Sequence, residues 1–223
     1  MRYWAALAVL VLALTGCSRV VTGMPRPDGH PPGIALSPDG YGIVAGFADA
    51  PVQLEVFTEP QCDHCAHFQA SYGEDIRAQI QTGRLAVTYR LLTFFDDGDT
   101  GYSQAAANAL FVTVQPATSA TSASTFQGFV ENLWANQSLA GGHYTDDDFA
   151  DLARKAGVAA ALVEQIAAGD DAVDATEMND HNMTALVDAN PEAPGTPTVY
   201  DLSGGNVVDI SDPDWLNALM RAS

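Results

Sequence analysis

The chain has 223 residues, of which 28 are acidic, nine are basic and five are histidine, so its formal net charge is −19 at pH 7. Such a surface repels nucleic acid and anionic lipid headgroups, which argues against both as binding partners. The length is ample for one large domain or two small ones with a proper hydrophobic core.

Residues 1–16 have the pattern of an export signal. Arg2 is followed by an apolar run from Trp4 to Leu14, and the segment ends in small residues. The run is too short to span a bilayer comfortably as a retained helix, and small residues are typical of a cleavage site. We therefore predict a signal peptide, which would place the chain where disulfides can persist.

Leu14-Thr15-Gly16-Cys17 resembles the lipobox of bacterial lipoproteins. In that family the cysteine becomes the lipidated first residue of the mature chain, which implies a lipid anchor on Cys17 at the outer face of the cytoplasmic membrane. The alternative is a plain secretory signal that leaves Cys17 as a free thiol. Residues 17–33, rich in Pro and Gly, are predicted to tether this cysteine to a folded domain of residues 34–223.

The domain begins with β-strand patterns. Two short apolar runs, 34–36 and 41–44, flank the turn signal Ser37-Pro38-Asp39-Gly40 and predict a hairpin. Residues 52–57 are a compact run of β-forming residues. We expect these segments to contribute to one sheet.

From Cys62 the apolar residues recur at spacings of three and four, which predicts a helix with one buried face. We expect Gly73 to bend or interrupt this helix and Gly83 to end it. Residues 85–92 then alternate as a strand does. The order strand, helix, strand predicts a β-α-β unit with a parallel pair.

Helical patterns fill the segment from about 100 to 190. Within it, Thr145 and Asp148 have the spacing of a capping box at the start of a helix. From Gly195 the pattern returns to strands. The middle of the chain is therefore predicted to be a helical block between two parts of one sheet.

The end of the chain has two short strand patterns and a helix. Residues 198–202 and 206–210 flank Ser203-Gly204-Gly205, which predicts a hairpin. Asp212 and Pro213 are predicted to open the last helix. The predicted fold class is α/β, with a helical block inserted between a β-α-β half and a β-β-α half.

Cys62 and Cys65 form a C-x-x-C pair at the point where the first long strand gives way to a helix. The free N–H groups and the dipole at a helix start stabilise a thiolate and lower its pKa from about 8.5 towards about 3.5–7.5. Cys65, one turn deeper on the buried face, can attack a mixed disulfide. Their bridge would close a very small loop and would be a weak structural staple, so reversible redox chemistry is the better use.

The residues around the pair modify this prediction. His64 can stabilise the Cys62 thiolate as a nearby donor or cation. Asp63 opposes thiolate formation through its negative charge, although an acid in the first turn favours the helix itself. His67 lies roughly opposite Cys65 on the helical wheel and is expected to be exposed to solvent.

Metal binding and peptidase chemistry are the alternatives for these residues. Cys62, Cys65 and a histidine could supply three zinc ligands, but structural zinc normally takes four and the chain has no second C-x-x-C. Met178, His181 and Met183 could suggest copper, although packing and surface roles are the simpler interpretation. A Cys/His peptidase could use His143 or His181. No metal and no cofactor are predicted.

Two motifs together resemble the DsbA-like thiol-disulfide oxidoreductases of the thioredoxin superfamily. They are Phe57-Thr58-Glu59-Pro60-Gln61 before Cys62-Asp63-His64-Cys65, and Gly195-Thr196-Pro197-Thr198 before the second hairpin. The resemblance covers about residues 34–223. It implies a thioredoxin-like fold with a helical insertion, a cis-proline at Pro197 beside the disulfide, and a preceding residue, Thr196, that contacts substrate.

The chain departs from this family at positions that affect the redox potential. Asp63 occupies the place where many relatives have proline. Val56 lies where many thioredoxin-fold proteins bury an acid that assists proton transfer, and Glu55 and Glu59 are displaced from that position. These departures leave the predicted fold unchanged but leave the direction of the redox reaction open.

The export signal, the C-x-x-C pair at a helix start and this resemblance together predict an exported enzyme that exchanges disulfides with protein thiols. Oxidation of its clients is favoured, and Cys62, Cys65 and His64 are the predicted catalytic residues. The enzyme would need a redox recycling partner, and Cys17 would attach it to the membrane. A disulfide reductase or isomerase is one alternative. A metal-binding lipoprotein that uses Cys62 and Cys65 is another.

Overall fold

The structure, a computed structural model, describes residues 29–96, 101–115, 121–137 and 144–222. The predicted signal peptide, Cys17, most of the tether and His143 lie outside these ranges. Within them, no helix combines the length and the apolar character that a membrane span requires.

The described strands form one six-stranded sheet in the order β1-β2-β4-β3-β5-β6. The strands are β1 (Ile34–Leu36), β2 (Ile43–Ala45), β3 (Val52–Thr58), β4 (Leu85–Leu91), β5 (Thr198–Asp201) and β6 (Asn206–Val207). Strands β3 and β4 are parallel, from Val52 opposite Leu85 to Thr58 opposite Leu91, and the other neighbours are antiparallel. The predicted first hairpin and parallel pair are confirmed.

Helix α1 (Asp63–Gln81) connects β3 to β4, and a run of helices separates β4 from β5. These are α2 (Tyr102–Val112), α3 (Ala123–Ala135), α4 (Asp146–Ala156), α5 (Ala160–Ala167) and α6 (Ala175–Ala189). Helix α7 (Trp215–Ala222) follows β6. The predicted order, a β-α-β half, a helical block and a β-β-α half, is confirmed, as is the capping box of Thr145 and Asp148 at the start of α4.

Central strand β4 is buried at all of its positions. On one face Val87 packs in the main core with Ile76 of α1. On the other face Phe57 of β3 packs with Leu186 of α6 in a second, smaller core. The face towards α6 also holds the buried polar residues Thr88 and Arg90. A strand covered on both faces is typical of parallel sheets.

The prediction that Gly73 interrupts α1 is wrong, because the helix runs unbroken from Asp63 to Gln81. Gly73 is buried where α1 packs against α3. A Cβ atom at this position would lie 2.8 Å from Cγ of Glu131. The glycine therefore provides room for a neighbouring helix and does not break its own.

The last hairpin and helix are shorter than predicted. Strand β6 ends at Val207 because residues 209–211 form a turn, in which the Ser211 N–H and hydroxyl donate to Oδ1 of Asp209 at 3.0 and 2.6 Å. Helix α7 begins at Trp215, two residues after Pro213, and the Trp215 N–H donates to the Asp212 carbonyl at 3.1 Å.

Candidate active site

Cys62 is the N-cap of α1, as its position in the sequence predicts. Its backbone is extended (φ −72°, ψ 116°), and its Sγ accepts a hydrogen bond from the Cys65 N–H at 3.4 Å. Both cysteines are free thiols in this structure. Cys62 is 5% exposed and Cys65 is 0% exposed, so Cys62 is the sulfur that a partner can reach more easily.

The two thiols differ in their acidity. The pKa of Cys62 is lowered from 9.0 to about 6, and the largest cause is a hydrogen bond from the Cys65 thiol. The Thr196 side chain and the N–H groups of Cys65 and His64 lower this pKa further, whereas burial raises it. Burial, followed by the hydrogen bond to Cys62, raises the pKa of Cys65 far above its ordinary value. At neutral pH Cys62 is therefore a thiolate while Cys65 keeps its proton.

The Thr196–Pro197 peptide bond is cis, as the family resemblance implies. The loop that carries it lies against Cys62, whose Sγ is 3.3 Å from the Thr196 carbonyl oxygen. The Thr198 hydroxyl donates to the Gly195 carbonyl at 2.7 Å and fixes the loop at the start of β5. The fold thus brings together two motifs that are far apart in the sequence.

A groove of about 410 Å³ lies beside this pair. Its lining combines residues of α1, the cis-proline loop and the turn before α7: His64, His67, Phe68, Tyr72, Thr196, Pro197, Ile210 and Ser211. Within this lining, the rings of Phe68 and Tyr72 pack on Trp215, with ring centroids 6.1 and 5.5 Å from that of Trp215. His67 is exposed, as predicted, and it forms part of this lining.

His64 reaches Cys62 through its backbone N–H, which helps to lower the Cys62 pKa. Its side chain is 81% exposed, and Nε2 lies 4.0 Å from Oδ1 of Asp63. The same Asp63 oxygen accepts the His64 N–H at 2.8 Å. Asp63 and the Cys62 sulfur therefore compete for one donor.

Glu59 is a part of the site to which the sequence pattern assigned no role. It is 0% exposed, and burial is the main reason that its pKa rises from 4.5 to about 7. The charges of Asp96 and Cys62 raise this pKa further, while hydrogen bonds from Ser103 and the Gln61 N–H lower it. Val56 is a buried apolar residue, so β3 provides no acid at that position. The buried acid Glu59 lies instead in the turn before α1, where its carbonyl accepts the Cys62 N–H at 3.1 Å.

One signal in the sequence could have identified Glu59. A single acid between an apolar strand and a C-x-x-C motif lies at the carboxyl end of a buried strand, where side chains of a site are expected in open α/β sheets. Its hydrogen-bond partner Ser103 lies on a different element, so its burial was not visible from local sequence.

The alternative sites have less support from the geometry. Across the part of the chain that the structure describes, no three His, Cys, Asp or Glu side chains are grouped so that they could hold a metal ion. Met178 is fully buried in α6, and the His181 ring packs against Tyr41 in a tilted arrangement with centroids 4.6 Å apart. Met183 packs against the small core of Phe57, Leu92 and Leu186.

The fold and the site define a thioredoxin-like protein with a C-x-x-C motif at a helix start and a cis-proline beside it. A family model described as thioredoxin matches residues 39–219, and the chain belongs to this family. The curated relatives with detectable similarity include the serine/threonine-protein kinase PknE of Mycobacterium tuberculosis and of Mycobacterium bovis, each 32% identical over 181 residues. The match covers 80% of this chain but only 31% of either relative.

Solved structures with the same fold include the thiol-disulfide oxidoreductase MdbA from Corynebacterium matruchotii (TM-score 0.68, 21% identity, 83% of this chain and 92% of that one). MdbA from Corynebacterium diphtheriae has a TM-score of 0.67 and 23% identity, covering 86% of this chain and 96% of that one. Reduced DsbA from Mycobacterium tuberculosis has a TM-score of 0.62 and 19% identity, covering 82% and 92%. The predicted DsbA-like fold is confirmed.

Proposed function

We propose that this chain is an exported thiol-disulfide oxidoreductase that exchanges disulfides with protein clients through Cys62 and Cys65, with client oxidation favoured. The observation that carries the proposal is the placement of Cys62 at the N-cap of α1, where its Sγ accepts the Cys65 N–H at 3.4 Å and lies beside the cis Thr196–Pro197 bond. This placement agrees with a pKa of Cys62 lowered to about 6 and a raised pKa of its buried neighbour. A stabilised thiolate favours the reduced pair, so the bridged form is a better oxidant.

The lowered pKa of Cys62 affects the redox equilibrium at pH 7. The Cys62 thiol ionises about one pH unit below pH 7, whereas an ordinary thiol with a pKa of 9.0 would still hold its proton. The lowered pKa therefore stabilises the reduced pair by roughly tenfold at pH 7, which makes the bridged form more oxidising.

In the proposed reaction, a client thiolate attacks Sγ of Cys62 in the Cys62–Cys65 bridge. The bridge breaks, Cys65 leaves as a thiolate and takes up a proton, and a client–Cys62 mixed disulfide forms. A second client thiolate attacks the client sulfur and releases the Cys62 thiolate, a good leaving group because of its low pKa. The client loses two electrons as its disulfide forms, and the protein gains them as a dithiol.

Glu59 is proposed to supply the proton that Cys65 needs. A carboxyl group with a pKa of about 7 is about half protonated at neutral pH, which suits a group that gives and regains protons. Its burial next to the active-site turn also limits exchange with bulk water. The dithiol form must then be re-oxidised by a recycling partner that itself carries a disulfide or another two-electron acceptor.

The groove beside Cys62 is proposed to hold the client segment around its cysteine. Thr196 and Pro197 would contact the client chain next to the reacting sulfur, and His64 and His67 would line the opposite side. The aromatic side chains of Phe68 and Tyr72 offer an apolar surface there, as expected for a protein that binds partly unfolded clients.

A trapping experiment tests the proposed function. Cys65→Ser removes the resolving thiol, so Cys62-linked client adducts are expected to accumulate and to disappear on reduction. They should be detected as higher-mass species on non-reducing gels and assigned to Cys62 by mass spectrometry. The matched control, Cys62→Ser, should trap none and should lose disulfide-exchange activity. Activity retained in Cys62→Ser together with no adducts in Cys65→Ser would contradict the proposal.

Export and lipid anchoring complete the proposal and rest on the sequence of residues 1–17. Cleavage before Cys17 and lipidation of its sulfur would attach the domain to the outer face of the cytoplasmic membrane through the tether of residues 17–33. Metabolic labelling with a fatty acid should mark the wild-type protein but not the Cys17→Ala variant. Equal labelling of both would contradict an anchor on this residue.

A further inference from the structure

The first turn of α2, which contains Ser103, is connected to the active site by hydrogen bonds of Ser103 and of Asp96, a residue of the loop before the helix. Asp96 follows β4, and its Oδ1 accepts the Ser103 N–H while its Oδ2 accepts the Gln104 N–H, both at 2.9 Å. The N-cap residue Gly101 provides no side-chain cap, so Asp96 caps the helix from the loop. Asp96 Oδ1 also accepts the Gln61 side-chain amide at 2.9 Å, which ties the helix start to the residue before Cys62.

The Ser103 hydroxyl has a defined donor direction. Nε2 of Gln61 donates to Ser103 Oγ at 3.1 Å, which occupies an acceptor position of this oxygen. The hydroxyl hydrogen is left for Oε1 of Glu59, with which Ser103 Oγ is in hydrogen-bond contact. The other carboxylate oxygen, Oε2, accepts the Gln61 backbone N–H at 2.6 Å. Each oxygen of Glu59 thus receives a hydrogen bond from a fixed donor.

We propose that Ser103 is a positioning residue that, through its hydrogen bond to Glu59, sets how readily this acid gives a proton to Cys65, so that the helical insertion controls proton exchange at the redox pair. The inference rests on the proposed function, because it requires Cys65 to take up a proton during client oxidation. Ser103 contacts the acid and neither sulfur, so it acts through Glu59.

The surroundings of Glu59 explain why one hydroxyl matters. Burial disfavours the carboxylate, and the titratable groups that face it, Asp96 and Cys62, disfavour it further when they are negatively charged. Only the Ser103 hydroxyl and the Gln61 N–H act in the opposite direction. Glu59 and Ser103 are both 0% exposed, so solvent cannot easily replace a lost donor.

Ser103→Ala tests this inference in the reduced protein. Loss of a hydrogen bond to a charged group should move the Glu59 titration midpoint up by about one pH unit or more, measured from the ¹³C shift of its carboxyl carbon. The pH profile of client disulfide formation should move in the same direction. Ser103→Thr keeps the hydroxyl and should restore both midpoints. An unchanged Glu59 midpoint in Ser103→Ala would overturn the inference.

A double-mutant cycle separates positioning from a merely structural role. In a Glu59→Gln background the second change, Ser103→Ala, should leave the pH profile unmoved, because the group through which Ser103 acts is gone. An equal effect in both backgrounds would overturn the inference. If Ser103→Ala folds poorly, Gln61→Ala provides a second test, because it removes the side-chain amide that orients the Ser103 hydroxyl. This variant should also raise the titration midpoint of Glu59, and an unchanged midpoint would count against the inference.

The same experiments distinguish this inference from the proposed function. If the wild-type protein does not exchange disulfides with glutathione or a dithiol peptide, the proposed function fails. If the wild-type protein is active but its pH profile does not respond to Ser103→Ala, only the role of Ser103 fails.

Discussion

Glu59→Gln is expected to raise the free energy of unfolding of the reduced protein by about 2–3 kcal/mol above pH 7 and to leave it nearly unchanged below pH 4. The pKa of Glu59 is about 7 in the fold and 4.5 as its ordinary value. Between these two values the folded protein binds more protons than the unfolded chain, so the wild-type fold loses stability as pH rises. Glutamine resembles the protonated acid and avoids this loss.

Chemical denaturation of both proteins at several pH values between 4 and 8 measures the effect. The difference in unfolding free energy should grow from about pH 4.5 and level off above pH 7. Glu164→Gln, at an exposed position of α5, is the matched control, and its difference from the wild type should not follow this course. A Glu59→Gln curve parallel to the wild-type curve over the whole range would contradict a buried acid with a raised pKa.

The same variant should be a poorer enzyme. An amide cannot deliver a proton to the leaving Cys65 sulfur, and loss of a general acid typically costs about 10²-fold or more in rate. Client disulfide formation by Glu59→Gln is therefore expected to be slower by about this factor near neutral pH. A residue that lowers stability and raises the rate of the reaction is typical of a functional site.

Local sequence predicted the features of the site that depend on local structure. Cys62 as a helix N-cap followed from a strand pattern and a helical pattern that meet there. The hairpin after Thr196-Pro197 followed from its turn residues. Both predictions needed only neighbours in the chain, and both are confirmed.

The features that sequence did not reveal depend on distant partners. Glycine is a residue type that often interrupts helices, but Gly73 lies inside an unbroken helix because it makes room for Glu131 of α3. Glutamate is usually a surface residue, but Glu59 is buried against Ser103 of α2, and this burial raises its pKa. In both cases the deciding contact comes from the helical insertion, whose placement no local pattern specified.

Asp63→Pro is expected to lower the pKa of Cys62 and to make the Cys62–Cys65 bridge more oxidising. The Asp63 carboxylate accepts the His64 N–H at 2.8 Å and therefore competes with the Cys62 sulfur for this donor. Its negative charge also opposes a thiolate on the preceding residue. Proline fits this first helical position, because Cys62 already has the extended backbone (ψ 116°) that precedes proline.

The ultraviolet absorbance of the thiolate gives the Cys62 pKa, and equilibration with glutathione gives the redox equilibrium constant. A fall of about one pH unit in the Cys62 pKa would change that constant about tenfold at pH 7, or about 30 mV. Asp63→Asn removes the charge but keeps an acceptor for the His64 N–H, whereas Asp63→Ala removes both. A larger shift in the alanine variant than in the asparagine variant would identify competition for the donor as a separate cause.

These variants also bear on the direction of the reaction. If Asp63 restrains an otherwise strongly oxidising pair, Asp63→Pro should oxidise clients faster and reduce disulfides more slowly than the wild type. A less oxidising bridge in Asp63→Pro would mean that the carboxylate does not restrain the thiolate. In that case the competition between Asp63 and Cys62 for the His64 N–H would not set the redox potential. Any difference in potential from a site with proline at this position would need another cause.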